Sequence, residues 1–271
     1  MSYEKAMPIL IEAIKKNLEL WEKSEWKREL IDIAPPVLWF GNFNSPKEKV
    51  LTIGANPSRC EFLERNNERV CREPLKKPRF AALSGKEDLE SLLGNKKLLE
   101  KIIDSYNSYF EANPYSGWFG IKDGGKVEGF VNGLRGSFYE GSKKGDLFTA
   151  IHTDLFPFPT KEDFKEISNL AVNDLFKTDW ARKTLSKIVE LVRPKVIIVF
   201  GGTNANYHKE YFGNDGEYKE SPPFHFSWHK GRSYGNIPTA LINMNLGNPY
   251  GASKLDLNDF GEHVGKHLGP L

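Results

Sequence analysis

An α/β fold built on a mostly parallel sheet is the class this sequence predicts, and three observations carry the prediction. Short runs dominated by apolar residues recur along the chain: VLTI at 50–53 before Gly54, a run at 147–152 that stops by Pro157, VIIVF at 196–200 before Gly201, and TALIN at 239–243. Amphipathic helical patterns alternate with these runs. Apolar strands separated by such helices need cover on both sheet faces, which parallel sheets have.

The elements follow in order. Leu10, Ile11, Ile14, Leu18 and Trp21 recur at three- and four-residue steps among lysines and glutamates, a helical face that Pro35-Pro36 brings to an end. VLWF at 37–40 is a short strand candidate, and 50–53 is the first core strand. Residues 59–80 are charged and irregular. A helix is predicted over about 95–110, with Leu98, Leu99, Ile102, Ile103, Tyr106 and Phe110 on one face. Glycine and aromatics dominate 113–145, which suggests a long ordered loop with a short helix near Phe130. A helix over about 179–192 carries Leu185, Ile188, Val189 and Val192 and stops at Pro194. After 196–200 a helix starts with Thr203 as N-cap. FHFSWHKGRSYG reads as a strand pair turning at Lys230-Gly231, and a final helix follows the strand at 239–243. With no repeat, low-complexity segment or linker, one domain is expected.

Composition narrows the function. The 271 residues suffice for a continuous core, and 39% hydrophobic with 27% charged is ordinary for a soluble chain. No apolar run reaches membrane-helix length, and the opening MSYEKAMPIL is too polar for a signal peptide, so an intracellular protein, cytoplasmic or nuclear, is expected; a monomer without a membrane partner is expected too. Cys60 and Cys71 are the only cysteines, which excludes a disulfide framework and a four-cysteine cluster. His225 and His229 sit in a β-rich context, and His263 with His267 reads as a surface pair, so no metal site is expected. The net charge of +2 neither requires nor excludes nucleic acid.

Sites in such sheets lie at the carboxyl ends of strands. Here those ends carry GANPS (54–58), HTDLFP (152–157) and NMNLGNP (243–249). Gly-Ala-Asn-Pro-Ser after an apolar strand resembles the first motif of the uracil-DNA glycosylase superfamily, closest to the mismatch-specific and single-strand-selective branches. RPKVIIVFGGTNANY is similar to its strand-glycine-helix segment, and TALINMNLGNP stands where the family carries its second motif. GSFYEG and DLFTAIHTDLFP fall in the expected order between them, so the resemblance spans about residues 50–255. It implies a three-layer α/β/α sandwich forming one domain over 1–271, with residues 1–34 as a helical extension packed on it. The implied activity is cofactor-free hydrolysis of the N-glycosidic bond of a uracil or other deaminated or damaged base flipped out of DNA.

The chemistry can be put to residues. Such an enzyme must grip a base edge and stabilise charge on the departing base, while water needs only aiming. The Asn56 side-chain oxygen can accept from a water and orient it, the role the resemblance gives this position. Gly54 and Ala55 would flank the base, and Ala55 and Ser58 would offer N–H groups. The plain alternative is a turn that favours Asn before Pro. The family's base-reading amide aligns with Asp154, or Thr153 if the register shifts by one. An ionised carboxylate only accepts, so Asp154 reads a donor-rich edge, is held protonated by burial, or lies outside the pocket. His152, two residues back on the same strand face, either orients Asp154 or acts with it. The family's histidine position falls on Asn243, whose amide could donate to the leaving base. Leu246 or Met244 beyond it would serve as a wedge or as core. Ser253 and Lys254 could hold a phosphate, and Arg59 with its basic neighbours could form a rim or a solvated face. Phe62, in preference to Phe80, is the expected base-stacking ring. Two other classes compete: a base- or nucleotide-binding module of the same fold without chemistry, and a hydrolase using His152–Asp154, for which no G-x-S-x-G elbow is present.

Overall fold

The computed structural model describes residues 2–65, 71–145, 147–213, 215–221, 226–244 and 253–269. One seven-stranded sheet is formed by β1 (Glu48–Gly54), β2 (Gly136–Ser137), β3 (Phe148–Asp154), β4 (Val196–Phe200), β5 (Asp215–Ser221), β6 (Phe226–Ser233) and β7 (Ile237–Ile242). Their order is β2-β3-β1-β4-β7-β6-β5. β2 pairs parallel with β3, and β4 pairs parallel with both β1 and β7. β6 and β5 close one edge antiparallel. The α/β class and the mostly parallel sheet are therefore as the sequence predicts. All five residues of β4 are buried, so neither of its faces meets water, which is why its sequence shows no alternation.

The chain falls into two compact units. One comprises Gly41–Gly54, Pro114–Thr153 and Val192–Leu271, and holds the sheet. From β1 the chain moves to β2 and β3 on one side, and from β4 to β7 on the other, so the strand order reverses between β1 and β4. Helices 126–133 and 254–268 pack against each other, and 254–268 also meets β7. They cross with backbones in contact: a Cβ on Gly261 would lie 2.0 Å from the Phe130 carbonyl oxygen, and one on Gly133 equally close to that of Asn258. Gly261→Ala should therefore push the helices apart and lower stability by about 1–3 kcal/mol, read from urea unfolding. An unchanged midpoint would show that the crossing yields freely.

The other unit comprises Met1–Phe40, Ala55–Asn113 and Asp154–Leu191. Helix Ser2–Trp21 packs on Lys86–Leu92 and Lys96–Asn107. Asn95 starts the latter by accepting from the Leu98 N–H. Leu99, Ile102, Ile103 and Tyr106 are buried, whereas Leu98 lies at the rim of the apolar stripe and is 36% exposed. Helix Trp180–Val192 buries Leu185, Ile188, Val189 and Val192, the face its periodicity marks. None of the described helices is long and apolar enough to cross a membrane.

Four local expectations are corrected. VLWF is buried but joins the ladder nowhere except a bridge at Phe40; Val37 donates to the Pro157 carbonyl and the Trp39 indole to Asn107 instead. The irregular 59–80 region contains a short hairpin, Leu63–Arg65 against Cys71–Pro74. Gly201, at φ 90°, rather than Thr203 precedes helix Gly202–Tyr207, because glycine tolerates the left-handed turn the chain takes there. Lys230 and Gly231 lie inside β6, paired with Ala240 and Thr239. The turn comes instead at Tyr234-Gly235-Asn236, where all three residues have positive φ.

Candidate active site

β1 ends at the buried Gly54, and the GANPS turn follows. The Ala55 carbonyl accepts from the Phe156 N–H at 3.0 Å, which pins the turn. Asn56 is half-buried, and its Nδ2 donates to Thr160 Oγ1 at 3.0 Å. Thr160 has one hydroxyl proton, and it goes to the Glu162 carbonyl at 2.8 Å. Thr160 therefore acts only as an acceptor toward Asn56, so the amide must present its nitrogen there and turn its oxygen away. Asn56 Oδ1 makes no hydrogen bond among the described residues. A buried threonine thus orients an open acceptor on a neutral side chain.

The residues after Asn56 serve the turn more than a ligand. Ser58 caps a short 3-10 turn over Arg59–Glu61 by accepting from the Cys60 N–H. Arg59 donates to the Lys161 carbonyl and lies 3.9 Å from Glu162 and 3.5 Å from Asp163, so the expected phosphate contact already faces carboxylates of its own chain. Phe62 is 3% exposed and stacks on Phe80 at 5.7 Å, a packing position rather than an open wall. Phe80 is equally buried.

Glu61 is the group that sequence reasoning passed over. It is 2% exposed, accepts from the Tyr109 hydroxyl at 2.7 Å through Oε2, and has Arg79 Nε at 3.6 Å from the same oxygen. Burial pushes its carboxyl up to about 8; the Tyr109 hydrogen bond and Arg79 oppose this rise, and the nearby Asp154 adds to it. Asp154 is itself 5% exposed, so two carboxyl groups share one buried neighbourhood. Only the apolar flank of Phe62 and Leu63 marked Glu61 in the sequence, among many acids in that stretch. The folded protein holds a proton at Glu61 that the unfolded chain releases near 4.5. The stability this confers is full below about pH 4.5 and is lost as pH rises through about 8. Glu61→Gln keeps a carbonyl for Tyr109 and removes the charge. Its urea midpoint should match that of the parent near about pH 5 and exceed it near about pH 9. Parallel pH profiles for the two proteins would overturn this account.

In the sheet-bearing unit, His152 is 3% exposed and its Nδ1 lies 2.9 Å from Thr52 Oγ1. The Thr52 hydroxyl also reaches the Ile151 carbonyl at 3.2 Å, so it bridges the imidazole and that carbonyl. Trp118 and Phe119 pack on the imidazole at 4.8 and 5.2 Å. The partner found for His152 Nδ1 is thus a threonine on the adjacent strand. Asn243, just past β7, is exposed, with Nδ2 donating to Ser227 Oγ at 2.8 Å. Ser253 forms a capping box with Asp256, whose carboxylate accepts the Ser253 N–H at 2.7 Å and so occupies the place a phosphate would take. Leu246 and the side chain of Lys254 lie outside the described residues; Met244 is half-buried, its carbonyl accepting from Gly201. Among the described residues no cluster of three or more His, Cys, Asp or Glu is disposed to hold a metal. Against known proteins, no family model and no curated sequence matches the chain.

Proposed function

We propose that the protein is a DNA base-excision glycosylase of the uracil-DNA glycosylase type, with the three-layer α/β/α arrangement that resemblance implies. The observation that carries this reading is Asn56, two residues after β1 in sequence, an amide whose nitrogen is tied to Thr160 and whose oxygen is left as an acceptor among the described residues. In the reaction, the carbon–nitrogen bond breaks first, and a water oxygen then bonds to the cation-like sugar carbon. The bonding pair leaves with the base, and the water's proton ends on the base. Asn56 aims the water. No strong base is required, because the sugar carries cation-like charge before water attacks.

The reading is tested with labelled oligonucleotides bearing uracil, hypoxanthine, xanthine, a mismatched thymine or an alkylated base, scored for abasic sites. Cleavage of at least one member is expected. The second reading, a base-binding module of the same fold, is favoured by Asp154, a buried carboxyl where the family reads with an amide. Tight, salt-sensitive binding with no cleavage anywhere in the panel would establish it in place of the first.

A further inference from the structure

We propose that Trp118, rather than Phe62, is the wall on which a planar nucleobase stacks; this rests on the base-excision reading for the identity of the ring alone. Trp118 is half-buried, whereas Phe62 is enclosed. Its indole lies 4.8 Å from His152, 4.6 Å from Phe119 and 6.3 Å from Phe200. Phe200 is the last residue of β4, and His152 lies near the end of β3, so the indole stands at the carboxyl edge of the sheet. That edge, where the order reverses between β1 and β4, is where open α/β sheets bind ligands.

The segment that presents Trp118 is rigidly built. Phe119, next in sequence, is 2% exposed and anchors against Phe138 and His152. The Gly120 carbonyl accepts from the Tyr139 hydroxyl at 2.6 Å, and the Gly117 carbonyl accepts from the Lys126 ammonium. Gly120 has a φ of 92°, and a Cβ there would lie 2.2 Å from the Gly125 carbonyl oxygen, so only glycine lets the chain take this course. A fixed backbone thus holds Phe119 inward and the preceding Trp118 partly outward. The Trp118 Nε1–H makes no hydrogen bond among the described residues, which leaves a donor beside the exposed part of the ring. A flat heterocycle with carbonyl oxygens suits both features: its π face meets the indole and an oxygen can take the N–H. A purely phosphate-reading surface would use neither.

The test measures binding of the full chain to labelled single strands carrying one 2′-fluoro-deoxyuridine or 2′-fluoro-deoxyinosine, which resist excision. The same strand with a tetrahydrofuran abasic analogue is the control. The parent protein should prefer the base-bearing strands. Trp118→Ala should weaken binding to them by about tenfold to a hundredfold and leave the control strand unchanged, while Trp118→Phe should recover part of the loss. No preference by the parent, equal losses on both strands, or a Trp118→Ala protein that binds like the parent would each overturn the proposal. If the substrate panel shows no cleavage but the Trp118-dependent preference stands, excision fails and stacking survives. Cleavage at the parental rate by Trp118→Ala removes stacking alone.

Discussion

On the proposed base-excision reading, Asn56→Ala should slow abasic-site formation by about a hundredfold or more under single-turnover conditions, while the protein stays folded in a thermal melt. The loss follows from what the side chain does. Its Nδ2 is tied to Thr160, and its Oδ1 is the acceptor left for water. Alanine supplies no acceptor, and a water that is not aimed loses the orientation advantage that dominates when the attacking group is weak. Thr160→Val tests the orienting half separately. Valine cannot accept, so the amide is free to flip, and a smaller loss of about tenfold is expected, equivalent to about 1.4 kcal/mol of barrier. An Asn56→Ala protein that excises at the parental rate would remove Asn56 from the mechanism. A Thr160→Val loss as large as that of Asn56→Ala would instead point to collapse of the turn.

This orientation was only half legible in the sequence. Gly54 through Ser58 could be placed at the end of a strand because Val50, Leu51 and Ile53 form an unmistakable core run. That Thr160 would hold Asn56 could not be read, since the two are 104 residues apart and a threonine in PFPT carries no local mark. The same limit applied to Thr52 and His152, which meet only because β1 and β3 are neighbours. Strands and long helices were legible because their periodicity is set by burial of many residues at once. The β6–β7 turn was misplaced because Lys230-Gly231 and Gly235-Asn236 are equally good local turn signals, and strand pairing chooses between them. Phe62 and Trp118 show the converse problem. Both are aromatic residues in stretches the sequence reads as irregular or loop, and nothing local says which ring the fold will enclose.

Phe80→Ala should cost about 3–5 kcal/mol, the largest stability loss among the substitutions considered, measured as a fall in the urea midpoint. Phe80 is 3% exposed and, among the described residues, touches four rings: Tyr109 at 4.8 Å and Phe62 at 5.7 Å stacked, Phe40 at 5.2 Å and Tyr106 at 5.8 Å edge-on. Truncation leaves a cavity that these neighbours cannot readily fill, because two of them are tethered. Tyr106 donates to the Pro36 carbonyl, and Tyr109 donates to Glu61. If Tyr109 leans into the cavity, Glu61 loses its hydrogen bond, so the damage should reach the buried carboxyl. A double-mutant cycle of Phe80→Ala with Phe62→Ala should show a coupling of about 0.5–1.5 kcal/mol, as stacked aromatic pairs do. Phe62→Ala alone should then act on stability, which a free base-stacking wall would not do. A Phe80→Ala loss under about 1 kcal/mol, or no coupling to Phe62, would mean that the cluster repacks around the gap and that Phe62 is free to serve a ligand after all.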